Sequence, residues 1–320
     1  MKLILIAALS CLFAIAYSQE MPSKGENLAS LTTFGKAAPK YFGDDDHVQI
    51  FFVLIPKEYT KTAYLKVYDP EISGENDLDV GGFNTSTKFS IYGGKSCYSE
   101  KAARQINPKG NFKSGTLVLS KTFKNESEYN EKWINLATLN PKEGEYVEEF
   151  KGYVFKIVAE GLSGNDGNSY KYFLSSSENS NLEVPGGNGF TYEYSFRLKY
   201  EGNSIAHVYP YVDDKVDYIV QYNFDFDRDG TIQVYSSKKN GHVQLPSGDN
   251  EWNSSKIVIQ KEERNNCIDI QLTKGSEGTN DMVFYALNQY NEPVPFFASP
   301  IGGTPKYIYS INVKKKVLDK

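Results

Sequence analysis

The sequence predicts an all-β protein built as two consecutive β-sandwich domains, jelly-roll or immunoglobulin-like, behind a signal peptide. Three observations predict it. Apolar residues recur in short unbroken runs or in strict alternation, and no stretch of ten or more residues carries a persuasive 3.6-residue period. Turn-forming clusters of Gly, Asn, Asp, Ser and Pro interrupt the chain about every 8–12 residues, the spacing of sandwich strands. The 24 tyrosines and 19 phenylalanines suit pleated, half-buried surfaces.

Met1-Lys2, an apolar run from Leu3 to Ala16 and then Tyr17-Ser18-Gln19 have the basic, apolar and small-residue parts of a secretory signal peptide over 1–18, with cleavage expected before Gln19. The run is shorter than the ~20 residues that span a bilayer, and no later segment qualifies as a transmembrane helix. Residues 19–45 hold Pro22, Gly25, Gly35, Pro39 and Gly43, show no sustained period and read as a flexible leader ending in the charge run Asp44-Asp45-Asp46.

A first domain is expected over 46–178. Val48–Ile55 has the length and the β-branched and aromatic content of a strand buried on both faces. Tyr64–Tyr68 follows and stops at Asp69-Pro70, where proline ends ladder pairing. Further strands are expected at Lys88–Tyr92, Gly115–Ser120 and Trp133–Leu139, with a weak helical turn near Ser99–Arg104. Gly152–Glu160 and Ser169–Leu174, joined by a glycine-rich turn, carry a hairpin signal. Residues 179–189 read as a linker, and a second domain is expected over 190–316. It opens with clean alternation: Tyr192, Tyr194, Phe196 and Leu198 buried, Glu193, Ser195, Arg197 and Lys199 wet. Strands are expected at Tyr218–Tyr222, Thr231–Tyr235, Lys256–Gln260, Ile268–Leu272, Met282–Leu287 and Tyr307–Val313.

A net charge of −5 without Lys/Arg blocks excludes the electrostatic footprint of a nucleic-acid or anionic-membrane binder. Cys97 and Cys267, the two cysteines outside the signal peptide, stand too far apart for a disulfide framework and read as two unpaired thiols, with one long-range bridge as the alternative.

One metal-ligand pattern is present. In Asp225-Phe226-Asp227-Arg228-Asp229-Gly230-Thr231 the three carboxylates at alternate positions, the Thr231 carbonyl and a glycine at the sharp turn match the opening of a calcium loop. The twelfth position is Ser236, where an EF-hand has a bidentate glutamate, and Thr231–Tyr235 alternates like a strand. Two readings stand: a Ca2+ loop between strands completed by a distant acid such as Asp213, Asp214 or Asp217, and a solvated Asp-Gly turn. Glu75, Asp77 and Asp79 form a second oxygen-rich loop, read as an ordinary turn.

Catalytic spacing is absent: His47, His207 and His242 are scattered, and no Gly-x-Ser-x-Gly elbow exists. Acids are too abundant for a glycosidase pair to be read without their spatial separation. Trp133 and Trp252, with Tyr209 and Tyr211, are candidates for a sugar-stacking platform and equally for core packing. Asn84, Asn125 and Asn253 lie in N-glycosylation sequons, which matter in a eukaryotic source.

Val48–Ile55, Tyr64–Asp69, Asp77-Leu78-Asp79 and Gly152–Leu174 together resemble the bacterial pre-peptidase C-terminal (PPC) domain. That resemblance implies a secreted β-sandwich module found beside extracellular hydrolases. The whole chain, with Gly-Asn-Asp-Gly-Asn, Tyr-Pro-Tyr-Val-Asp-Asp-Lys-Val and Pro-Ile-Gly-Gly, also resembles a group of uncharacterised secreted proteins of Bacteroidetes-type bacteria, which implies a Gram-negative envelope or the extracellular medium. The functional expectation is an exported, secreted or periplasmic non-catalytic protein with a structural calcium site that binds an extracellular polysaccharide or an envelope protein. A secreted hydrolase acting on glycan or peptide is the competing class.

Overall fold

The computed structural model describes residues 19–199 and 205–305. The signal peptide expected over 1–18 and the strand expected at 307–313 lie outside them. In chain order the strands are β1 (Glu20–Met21), β2 (Ser30–Phe34), β3 (Val48–Pro56), β4 (Ala63–Tyr68), β5 (Ser86–Gly93), β6 (Thr116–Phe123), β7 (Trp133–Leu139), β8 (Glu145–Val147), β9 (Gly152–Ser163), β10 (Gly167–Ser175) and β11 (Asn188–Thr191). They continue as β12 (Glu193–Lys199), β13 (Ala206–Val208), β14 (Tyr211–Val212), β15 (Tyr218–Phe224), β16 (Gly230–Tyr235), β17 (Asn240–Gln244), β18 (Trp252–Val258), β19 (Asn266–Cys267), β20 (Asp269–Lys274), β21 (Thr279–Asn288) and β22 (Phe296–Phe297). Helical structure among the described residues is confined to single 3₁₀ turns, one of them at Lys101–Arg104 near the expected helical turn. The protein is all-β with antiparallel sheets, as predicted.

A long sheet runs β18-β15-β21-β12-β2-β10-β4-β7, with β1 also on β10. A second sheet runs β22-β11-β3-β9-β5-β6, with β8 also on β9. A four-stranded sheet, β13-β20-β16-β17, completes the layers beside a small β14-β19 pair. The first two sheets pack face to face. Phe51 of β3 meets Tyr172 and Tyr194 of the long sheet at 6.1 and 5.8 Å between ring centroids, and Phe89 of β5 meets Tyr170 edge-on at 5.0 Å. Each such buried aromatic contributes about 1.5–3 kcal/mol of apolar burial. β3 is buried on both faces as expected, because Ile50, Phe52 and Leu54 pack outward into a smaller cluster with Val154, Phe190 and Phe297.

Three sequence expectations are corrected by this topology. Residues 19–45 are not a flexible leader: β2 sits between β10 and β12 near the middle of the long sheet. Its polar Ser-Leu-Thr-Thr-Phe hides a central strand, since Thr33 Oγ1 pairs with the Tyr170 hydroxyl at 2.8 Å and Thr32 Oγ1 donates to Asp281 at 3.1 Å. The residues after 45 do not divide at 179–189. β2, β4, β7 and β10 share one ladder with β12, β15, β18 and β21, and Leu31, Phe51, Tyr170, Phe196, Ile232 and Phe284 belong to one core.

β9 and β10 do not form a hairpin. β9 lies in the second sheet and β10 in the long one, so the glycine-rich turn is an arch between layers. Gly161 is required there, because a Cβ would stand 1.9 Å from the Phe34 carbonyl oxygen. The buried Asp166 carboxylate fixes the arch by accepting from the backbone N–H groups of Val80 (2.9 Å), Asn84 (2.5 Å) and Thr85 (3.0 Å). Cys97 and Cys267 are both free and buried.

Candidate functional site

The Asp225–Gly230 stretch folds as a tight turn after β15, with positive φ at Asp225 (62°), Asp227 (56°), Arg228 (54°) and Gly230 (137°). The fully buried Phe226 pins it, with its amide donating to Ser247 Oγ at 2.9 Å and the Arg228 amide to the Ser247 carbonyl at 2.7 Å. This holds the turn against the β17–β18 connection and brings Asp249 into place. One carboxylate oxygen from each of Asp225, Asp227 and Asp249 lies within 4.8 Å of the others. Burial, with the charges of Asp227 and Asp249, pushes the Asp225 carboxyl up to about 7. Burial first and Asp249 next also raise Asp227. An all-oxygen donor set of this kind suits a hard divalent cation such as Ca2+.

The remaining predicted ligands are not brought there. Asp229 turns away to an ion pair with Lys274 and accepts from Ser276 Oγ at 2.9 Å; burial raises its carboxyl, but these donors outweigh burial and hold it below the usual range. Thr231 is engaged opposite Thr273 in the β16–β20 ladder. Asp213 accepts from the Lys215 amide at 2.7 Å, and the Asp214 carbonyl takes Arg264 at 3.0 Å, in a separate part of the surface. Asp249 belongs to Ser247-Gly248-Asp249-Asn250, whose turn chemistry was the available signal.

The second acidic loop behaves as the turn expected of it. Asp77 accepts from the Ser73 (2.8 Å) and Ser169 (2.7 Å) amides, and Asp79 from the Gly81 (2.9 Å) and Gly82 (2.6 Å) amides. The Asp44–Asp46 run, by contrast, is not simply solvated. Asp44 is buried and takes the Phe34 (3.2 Å), Asp46 (3.1 Å) and His47 (2.8 Å) amides, folding the segment onto the long sheet.

Ladder partners in an antiparallel sheet point to one face. The pairs Trp133–Tyr68, Tyr68–Lys171, Ser30–Arg197, Arg197–Asp281, Glu193–Tyr285, Tyr285–Tyr222 and Phe224–Trp252 therefore lay out the outer face of the long sheet. Its centre is locked. The Arg197 guanidinium clamps Asp281 through Nε at 2.8 Å and Nη2 at 2.6 Å and also donates to the Asn76 carbonyl. The wet face expected for β12 is thus covered at Ser195 and Arg197, because Arg197 meets an acid two strands from the edge and no longer needs water, while Lys199 is exposed as expected.

On one side of this clamp lies a half-open cleft of about 410 Å3. Tyr68 and Trp133, tilted at 50° with centroids 5.3 Å apart, form its aromatic wall. Arg197, Lys171, Lys199, Glu20, Asp69 and Asn76 supply donors and acceptors around it. Asp69 is buried beneath, held by the Glu131 amide at 2.8 Å and Asn76 Nδ2 at 3.0 Å, and burial raises its carboxyl.

On the other side Trp252 stands above Phe224 (5.0 Å) and Tyr285 (5.2 Å), with Tyr222 stacked on Tyr285 at 4.7 Å. Asp45 Oδ2 accepts from Trp252 Nε1 at 3.3 Å, and Glu193 Oε2 from the Asn107 amide at 2.8 Å. Burial, then the charges of Asp45 and Asp44, push Glu193 up to about 8, and burial followed by Glu193 and Asp44 raises Asp46 well above the usual range. Burial and the neighbouring acids thus favour the protonated forms of Asp46 and Glu193. The two tryptophans singled out from the sequence therefore sit at opposite ends of one face. Tyr209 and Tyr211 are elsewhere: the Tyr209 hydroxyl donates to the Gly25 carbonyl, and Tyr211 lines a different cleft with Tyr98 and Arg104. His207 is paired with Asp269 at 2.9 Å. Arg197, Asp281, Glu193 and Tyr285 carried no motif in the sequence; they become legible once the strand register is known.

No protein-family model matches the chain, and no curated protein matches it. Among solved structures it is similar to a chain of infectious bursal disease virus, Gt strain, at 12% identity over 84% of this chain and 74% of that one with a TM-score of 0.18. A second similar structure is the CBM22-1–CBM22-2 tandem domain of Paenibacillus barcinonensis Xyn10C, at 9% identity over 86% and 83% of the two chains with a TM-score of 0.16. No helix among the described residues is long and apolar enough to cross a membrane.

Proposed function

We propose that the protein is an exported, non-catalytic binder of an extracellular polysaccharide, which it takes along the outer face of the long sheet, with a structural divalent cation, Ca2+, in the Asp225–Asp227–Asp249 turn. The observation that carries the reading is the cleft walled by Tyr68 and Trp133 beside the Arg197–Asp281 clamp. Flat rings match the apolar face of a pyranose, and charged groups already fixed by their own partners present hydrogen bonds to hydroxyls at low ordering cost. The likeness to PPC modules of secreted enzymes belongs with the same reading.

A glycosidase needs two carboxyls about 5–5.5 Å apart for retention or 6.5–9.5 Å for inversion. Asp46 and Glu193, the most perturbed acid pair on this face, do not line the cleft walled by Tyr68 and Trp133. That placement, away from the cleft, supports binding over turnover there. The test is calorimetric titration with cello-, xylo- and chito-hexaose. Saturable binding to at least one, weakened about ten- to a hundredfold in Trp133→Ala with the fold retained by far-UV circular dichroism, is the expected result. Release of reducing ends from any of them by the wild type would replace this reading with the hydrolase.

A further inference from the structure

We propose that the corner formed by Trp252, Tyr285, Tyr222, Asp45, Asp46 and Glu193 is a subsite for an ammonium group, and that its occupant is an amino sugar of the glycan bound along the same face. The assignment rests on the glycan reading above and adds the chemistry of one subsite to it. Two independent features point to a cation. The first is the aromatic group: Tyr285 packs against Trp252 at 5.2 Å and against Tyr222 at 4.7 Å, with Trp252 exposed, and ring faces attract cations through their quadrupoles. The second is uncompensated acid. Asp45 Oδ1 and Glu193 Oε1 are cut off from solvent, and no N–H reaches either among the described residues.

The groups acting on Glu193, Asp46 and Tyr285 are other acids and Tyr222; His47 beside Asp44 is the basic neighbour of the cluster. The Arg197 guanidinium, further along the face, is already spent on Asp281. An arriving ammonium would lie over the Trp252 and Tyr285 rings with its charge toward these acids, favouring their ionised forms and releasing a proton to solvent, while its CH groups contact the rings. A neutral sugar gains the stacking and not the charge. The corner therefore discriminates glucosamine-type units from uncharged ones.

The test uses Trp133→Phe, which leaves Trp252 as the sole tryptophan of the two in the sequence. Its emission is followed during titration with tetramethylammonium chloride and, in parallel, with the uncharged neopentyl alcohol. The expected result is a saturable change with the cation and none with the alcohol, about tenfold weaker in Asp45→Asn and in Glu193→Gln. Both substitutions keep the acceptors used by Trp252 Nε1 and the Asn107 amide, so the fold is retained, as far-UV circular dichroism would record. An equal response to the alcohol, or indifference to both substitutions, overturns the subsite. In a second arm the wild type is titrated with deacetylated chitosan hexamer and with cellohexaose, and tighter binding of the chitosan is expected. Binding of neither hexamer with the tetramethylammonium response intact overturns the glycan reading and the amino-sugar occupant, and supports the cation site alone.

Discussion

The two ends of the outer sheet face are built from the same kinds of residue and are left in opposite electrostatic states. At the Trp133 end Asp281, Glu20 and Asp69 each have a partner. Asp281 is clamped by Arg197, Glu20 pairs with Lys171 at 3.3 Å, and Asp69 is closed by an amide and Asn76. At the Trp252 end acids face acids: Asp46 lies against Glu193, with Asp44 and Asp45 beside them, and Asp225, Asp227 and Asp249 converge just beyond Phe224. The difference teaches that an acid-rich face can be a finished structure or a demand for a cation. What separates the two is where each carboxylate oxygen finds its donor.

The contrast can be broken most sharply by removing one charge at each end. Arg197→Ala should destabilise the protein by about 3–5 kcal/mol in urea denaturation, because the buried Asp281 carboxylate loses its partner. Glu193→Gln should be neutral or slightly stabilising, since it relieves repulsion. Comparable losses for the two would erase the distinction between the ends.

Cation linkage comes next. Calcium at a hundredfold excess over its Kd should raise stability by about 2.7 kcal/mol, read as a higher melting temperature against EDTA. Asp227→Asn and Asp249→Asn should remove most of that gain, while Asp229→Asn, whose carboxylate belongs to Lys274, should leave it. A dependence on Asp229 and not on Asp249 would return the site to the linear Asp-x-Asp-x-Asp arrangement.

The smallest effect is pH. Burial pushes Glu26, Asp77 and Glu193 each up to about 8, so between their ordinary values near 4 and pH 8 the folded chain holds more protons than the unfolded one. Stability contributed by their neutral forms is fully present below pH 4 and is lost as pH rises through 8. The melting temperature should fall from pH 5 to pH 8.5, with a shallower fall in Glu193→Gln. A rise across that range would contradict the assignment of these acids.

The strands were legible where side chains sort by polarity, as in Val48–Pro56 and Tyr218–Phe224. They were illegible in β2, whose threonines are satisfied by Tyr170 and Asp281 and so read as solvent-facing, and that strand is what joins the two halves. The Asp225–Gly230 turn was visible from its spacing, yet its third carboxylate comes from Asp249, across a hairpin whose closure no linear spacing encodes. Both tryptophans of the outer face were singled out as rings. Their surroundings were not, since Arg197, Asp281, Glu193 and Tyr285 meet through register alone, and alternation along β12 counted Glu193 and Arg197 as merely wet.

The central claim is that the outer face binds a glycan through the Tyr68–Trp133 wall. Isothermal titration of the full chain with the hexaose panel, wild type beside Trp133→Ala, tests it most directly. The account predicts saturable wild-type binding to at least one hexaose and a loss of about 1.4–2.8 kcal/mol, ten- to a hundredfold in Kd, in the variant, the scale of losing one stacked ring. Equal affinity in the two proteins, or no binding by the wild type to any member, would contradict it.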